Sequence, residues 1–281
     1  MTRRAILIGG LLALLWVAPA AATTTIGQLT PSGAASQNCG PSSGAYVQST
    51  VTSGPSYAVP ANGVRITSWS TVALATAGQS VSLFVFRPLG GDSYMTVAHE
   101  GPHALNPLAV NSFPVNIAVK PGDLLGLNAD LSTNFPAGCG FVVPGETGEF
   151  GSFPNPPPSD GASGTFFPAS GNRVNVKAEV EVSNAFSLGA VSRNKKKGTA
   201  TITVDGTGPG TFSLGGKGLK GQQASLGNVA GTVSIPVIAT GKAKKKLRSQ
   251  GKAKVNPSVT FTPDGGAANT QSARVKLIKK R

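Results

Sequence analysis

Both histidines of the chain fall within five residues, His99-Glu100-Gly101-Pro102-His103, and satisfy the H-E-x-x-H pattern. In zinc peptidases that spacing works because one helical turn sets both imidazoles on one face to hold the metal, while the glutamate polarises a bound water. The central residues argue against it here. Glycine weakens a helix, and an interior proline removes a donor and clashes with the preceding turn, at about 3 kcal/mol. The preceding Tyr94-Met95-Thr96-Val97-Ala98 reads as a strand, and a third ligand would have to be a carboxylate. The sequence therefore predicts a loop after a strand carrying two surface histidines, with no metal site and no cofactor.

Other chemistry is thinner. Glu146 and Glu149 are close enough in sequence to suggest the paired carboxylates of a glycosidase, but they sit in the turn-rich PGETGEFG, where solvent exposure is expected. Lys120-Pro121-Gly122-Asp123 reads as a turn entering the strand LLGLN, with the aspartate bonding back to the backbone. The glycine-rich stretch Gly206 to Gly218 lacks the phosphate-loop pattern, since Lys217 is followed by Gly218, so its glycines are assigned to hairpin turns.

The conspicuous chemistry is cationic. Between Gly241 and Val255 lie Lys242, Lys244, Lys245, Lys246, Arg248, Lys252 and Lys254 with no acid among them; Lys195, Lys196 and Lys197 follow Arg193, and a third run spans Lys276 to Arg281. Five basic residues oppose nine acidic ones from 23 to 182, a net −4, whereas eighteen oppose two from 183 to 281, a net +16. Nucleic-acid recognition pairs cations with stacking aromatics or a groove-reading helix. The basic half offers only Phe186, Phe212 and Phe261, all in apolar patterns, so no specific nucleic-acid partner is expected. Two readings stand. The lysines either solubilise a glycine-rich sandwich and block edge pairing, or they attract anionic envelope polymers, such as phosphate-bearing or uronic glycans. Their clustering in three blocks favours the second, and Lys195, Lys196, Lys197, Lys242, Lys244, Lys245, Lys246, Arg248, Lys252 and Lys254 are the candidate binding residues.

The chain start, Met-Thr-Arg-Arg followed by an apolar run from Ala5 to Val17 and small residues to Ala22, is expected to be an export signal occupying 1–22. Arg3-Arg4 admits a twin-arginine route. No later apolar run reaches bilayer length, so no transmembrane segment is expected. Two cysteines, Cys39 and Cys139, in an exported chain predict one disulfide closing a loop of about 100 residues, with two buried thiols as the alternative.

These residues must be positioned by strands. Arg173 to Val182 alternates Val174, Val176, Ala178, Val180 and Val182 against Arg173, Asn175, Lys177, Glu179 and Glu181, the period of a strand with one buried and one wet face. Similar runs recur with turn residues between them, and no window carries a helical stripe. The expected fold is all-β: a jelly-roll-type β-sandwich over 23–182, then a basic immunoglobulin-like β-sandwich over 183–281. Seven strands are expected in the second unit, with a turn around Leu247 as apolar anchor. The Pro-, Gly- and Ser-rich Gly151 to Gly171 is expected to be an irregular loop. Phe150, Phe153, Phe166 and Phe167 around it, and Trp69, are candidates for core packing or for sugar stacking.

VPANGVRITSWS, LFVFRP with GGDSYMTVAHE, and FPVNIAVKPGDLLGLN resemble a β-sandwich of secreted actinobacterial proteins. FSLGAVSRNKKKGTATITVDGTGPGTFSLGGKGLK and KAKKKLRSQGKAKVNPSVTFTPDGG resemble the lysine-rich immunoglobulin-like module that closes such proteins. The resemblance implies architecture and carries over no functional residue. The expectation is a secreted, non-catalytic, cell-wall-associated protein. Its basic unit would hold anionic polymers, and its first unit would present a ligand-binding or adhesion surface for carbohydrate. A secreted hydrolase with its site in the first unit is the alternative, and a purely structural exoprotein a third reading.

Overall fold

A computed structural model describes residues 23–39, 43–130, 137–227, 230–264 and 266–280; the expected export signal at 1–22 lies outside the described residues. The first part of the chain forms β1 (Thr23–Gln28), β2 (Ser36–Asn38), β3 (Ser43–Gln48), β4 (Gly63–Val72), β5 (Ser80–Gly90), β6 (Ser93–Ala104) and β7 (Val110–Ala118). It continues with β8 (Leu124–Ala129), β9 (Gly138–Val142), β10 (Phe150–Pro154), β11 (Ser163–Thr165), β12 (Phe167–Ala169), β13 (Asn172–Val174) and β14 (Val176–Val182). The strand order is β1-β14-β4-β7 in one sheet, β11-β6-β5-β8-β3-β10-β12 in a second and β13-β9-β2 in a third.

The alternation in 173–182 buries Val174, Val176, Ala178, Val180 and Val182 as its period requires, each 7% exposed or less. Their partners across the layer are Val81, Leu83, Val85, Leu125 and Leu127 of β5 and β8, so the four- and seven-stranded sheets pack face to face around Trp69 and Ile66. The expected wet face is not uniformly wet, because Arg173 and Asn175 are buried. Asn175 divides the run into strands of two different sheets. Its side-chain amide bridges them, donating to the carbonyls of Val72 (2.7 Å) and Gly138 (3.1 Å) and accepting from the Thr30 N–H (3.0 Å).

The central strands β5 and β8 of the seven-stranded sheet are buried on both faces, which is why β5 reads as a continuous apolar run. On its second face Phe84 and Phe86 are covered by Phe153 and Phe166. The segment that supplies this cover, expected as an irregular loop, instead forms the short strands β10, β11 and β12 at both edges of the sheet. Its apolar rings gain more from burial than its prolines lose in ladder bonds.

The later part forms β15 (Phe186–Asn194), β16 (Thr199–Gly206), β17 (Gly210–Gly215), β18 (Gln222–Leu226), β19 (Gly231–Val237), α1 (Gly241–Gln250), β20 (Lys252–Val255), β21 (Ser258–Pro263), β22 (Asn269–Ser272) and β23 (Val275–Ile278). Sheets β15-β16-β19 and β18-β17-β21-β22 enclose Ile202, Val204, Ile235, Phe212, Val259 and Phe261. The buried cluster of this part draws only on 186–277, and the other two clusters only on 26–180. Two expectations change. The turn around Leu247 is a helix, although Leu247 is its buried anchor, and the second part carries nine strands among its described residues where seven were expected. Among the described residues no helix is long and apolar enough to cross a membrane.

Candidate functional site

Helix α1 has almost no apolar stripe: Ala243 and Leu247, one turn apart, meet the core, and cations occupy most of the remaining positions. Good intrinsic helix formers sustain it, and Gly251 stops it in the left-handed region (φ 69°) while donating its N–H to the Leu247 carbonyl at 3.0 Å. Its charges work against it. Lys242 and Lys246, like Lys244 and Arg248, are like-charged i,i+4 pairs that cost a few tenths of a kcal/mol each. No acid occupies the first turn to complement the dipole.

Three runs far apart in sequence converge around β23. On one edge β23 pairs with β20, Lys254 opposite Lys276 and Ala253 opposite Leu277, so Ala253 and Leu277 face the core while Lys254 and Lys276 face solvent. On its other side Arg193 Nε donates to the Lys276 carbonyl at 3.0 Å, and the Lys280 N–H donates to the Lys195 carbonyl at 2.8 Å. The Lys279 N–H reaches the Gly251 carbonyl at 2.8 Å, tying the same segment to the helix end.

Two hollows result. A cleft of about 430 Å³ is lined by Lys246, Gln250, Lys252, Ala253, Lys254 and Lys276. A shallower basin of about 590 Å³ is lined by Ser192, Arg193, Asn194, Lys195, Lys196, Thr201 and Lys280. Of the candidate residues, Lys195, Lys196, Lys246, Lys252 and Lys254 line the two hollows, whereas Lys197, Lys242, Lys244, Lys245 and Arg248 are exposed without lining either.

Neutralising acids are remote. Asp205 lies six residues along β16 from Thr199, about 20 Å at strand rise, where Thr232 Oγ1 and Ser187 Oγ donate to it. Asp264 lies beyond the far end of β21, its N–H bonded to the Pro209 carbonyl. Among the described residues no ion pair includes a residue after Glu181. The arrangement can attract and hold a polyanion.

The H-E-x-x-H stretch is strand, not loop, lying inside β6. A bulge between its pairings, Glu100 with Leu83 but His103 with Val81, inserts one extra residue and flips the strand's parity. Gly101 absorbs the irregularity at φ 115°, where a Cβ would lie 3.0 Å from the Ser82 backbone. His99 therefore shares a face with Phe84, on which it stacks, and bonds Asp160 at 2.7 Å. His103 and Glu100 share the opposite face, joined at 2.6 Å, with Trp69 Nε1 donating to Glu100 at 2.9 Å and Phe113 stacked on His103. Two imidazoles on opposite faces of one sheet cannot share a metal ion. Among the described residues no group of three or more His, Cys, Asp or Glu is placed to hold a metal ion.

The expected exposure of Glu146 is overturned. Burial acts to raise its pKa but is outweighed by hydrogen bonds from the Thr52 hydroxyl, the N–H groups of Thr52 (2.8 Å) and Gly148 (2.6 Å) and the Arg173 guanidinium, which hold it down at about 2. Arg173 also donates to Gln28 Oε1 (2.8 Å) and the Ser53 carbonyl (2.7 Å), leaving this buried pair fully bonded and structural. Glu149 is held separately by the Ser49 hydroxyl at 2.8 Å. Asp123 keeps its expected turn bond to the Lys120 N–H (2.7 Å) and gains a bidentate Arg87, a partner distant in sequence that no local pattern announced.

Cys39 and Cys139 form the expected disulfide, Cα atoms 5.1 Å apart. Trp69, Phe153 and Phe166 are core, and Phe150 stacks on Tyr46; Phe167 is 59% exposed. Compared with family models, curated proteins and solved structures, the chain finds no match in any of the three.

Proposed function

We propose that this is a secreted, non-catalytic surface protein that associates with anionic cell-envelope polymers through residues 183–281, while residues 23–182 present a ligand-binding or adhesion surface for carbohydrate. The observation that carries the reading is the convergence of three sequence-distant cationic runs on one end of the second unit, with both of its acids at the other. The cationic face holds its charge at a cost to the helix and the β20–β23 ladder, which solubility alone does not require. A disulfide between Cys39 and Cys139 fits an oxidising compartment.

The finer architecture belongs to the same reading. Strands β15 to β19, β21 and β22 make a seven-strand, two-sheet arrangement of the immunoglobulin-like kind, differing from the constant type in placing the fourth strand on the second sheet. Helix α1 and β20 are then an insertion between the fifth and sixth strands, and β23 an extension after the seventh. The four-stranded sheet packed on the seven-stranded one supports a jelly-roll-type first unit.

The test is co-sedimentation with isolated bacterial cell walls across a salt series. Screening at physiological ionic strength acts over about 8 Å, so a charge-held protein is released progressively as NaCl rises. Retention that ignores ionic strength overturns the proposal.

A further inference from the structure

Resting on that reading, we infer that the Lys246–Gln250–Lys252–Lys254–Lys276 cleft is a discrete phosphate-binding subsite and that it works with the Arg193–Lys195–Lys196–Lys280 basin to hold one linear phosphate-bearing polymer across β23.

Four lysines from three elements, α1, β20 and β23, line a hollow of about 430 Å³ with no carboxylate in its lining. Two of them, Lys254 and Lys276, are direct cross-strand neighbours, a placement that destabilises a ladder unless an anion occupies the space between them. Gln250 adds an amide that can donate to the same oxygens. The backbone around the cleft is fixed by the Gly251 cap and the Lys279 bond to Gly251, so the lysine stems leave a defined frame.

The donor chemistry suits phosphate. Ammonium groups are compact point charges with three donors each, fitted to a tetrahedral oxyanion approached from several sides, whereas the guanidinium fork takes carboxylate and phosphate alike in one plane. The cleft contains no arginine, and Arg193 in the basin has its Nε committed to the Lys276 carbonyl. The two hollows adjoin at β23: Lys276 lines the cleft, and its carbonyl accepts from Arg193, which lines the basin. A polymer carrying regularly spaced phosphates can therefore occupy both, while an isolated phosphate can fill only one.

The experiment measures binding of long-chain inorganic polyphosphate to the secreted chain at 0.15 M salt, with polygalacturonate at matched charge as the carboxylate arm and isolated walls alongside. A cleft variant carries Lys246→Gln, Lys252→Gln, Lys254→Gln and Lys276→Gln; a control of equal charge loss carries Lys120→Gln, Lys177→Gln, Lys217→Gln and Lys220→Gln. The expected result is a loss of about tenfold or more in polyphosphate affinity for the cleft variant against less than about threefold for the control, with polygalacturonate about tenfold weaker on the parent. Equal weakening of the two variants overturns the subsite and leaves charge-driven wall association standing. Equal affinity for the two polymers overturns the phosphate preference. Absence of binding to polyphosphate, polygalacturonate and walls alike overturns both readings. Lysine acylation of the unaltered protein gives an independent readout that needs no variant: polyphosphate protects Lys246, Lys252, Lys254 and Lys276 more than Lys217 and Lys220, and uniform protection overturns the subsite.

Discussion

Lys254 and Lys276 stand directly opposite one another in the antiparallel β20–β23 ladder, both exposed. Like charges so placed destabilise the pair, and an opposite charge reverses the sign. Lys276→Glu is therefore expected to raise stability by about 0.2–1 kcal/mol, read as a higher urea midpoint, while lowering retention on cell walls. A variant that loses stability, or that gains it with unchanged retention, contradicts the assignment of this pair to binding.

The buried Arg173–Glu146 pair predicts a large asymmetric effect. Glu146→Gln leaves the guanidinium buried without its counter-charge and is expected to cost about 3–5 kcal/mol in unfolding free energy by denaturant titration. A change below about 1 kcal/mol would mean that water reaches the site.

The same carboxylate sets an acid limit. Its folded pKa of about 2 lies below the ordinary 4.5, so its contribution is fully present above pH 4.5 and is lost as pH falls from there toward 2. The full contribution is on the order of 3 kcal/mol. Urea midpoints collected from pH 6 to pH 2 should fall through that window, and the fall should be shallower in Glu146→Gln.

Removing the disulfide should act on one unit alone. Cys39→Ala with Cys139→Ala opens a loop of sequence separation 100, which costs about 4–5 kcal/mol in the chain-entropy model. Trp69 sits in the buried cluster drawn from residues 26–180, so its emission should report an earlier melt. The cluster spanning 186–277 shares no buried residue with it, so the circular-dichroism change of the second unit should keep its midpoint. A shift of both transitions together would show that the units unfold as one.

The histidines predict a negative result with a geometric cause. Because the β6 bulge sends His99 and His103 to opposite faces, the chain should bind no stoichiometric zinc at micromolar concentration, and His99→Ala with His103→Ala should leave its metal content unchanged. Zinc bound at one equivalent and lost in the double variant would contradict the assigned register.

The sequence by itself determined what depends on near neighbours. Period-two alternation placed Val174 to Val182 in a core; Pro121, Gly122 and Asp123 set a turn; composition separated a −4 segment from a +16 one. Helix α1 is not legible in the sequence because its apolar face is only Ala243 and Leu247, too narrow to register as a stripe. Tertiary structure decided what depends on distant partners. Glu146 looks exposed in PGETGEFG until Arg173 and Thr52 close around it, and His99 and His103 look like a pair until one extra residue against β5 parts them. Lys195, Lys254 and Lys276 become neighbours only because β23 runs between β20 and β15. Local pattern specifies which way a side chain points along its own strand, whereas its neighbours across the sheet follow from long-range register, which one stretch of chain does not encode.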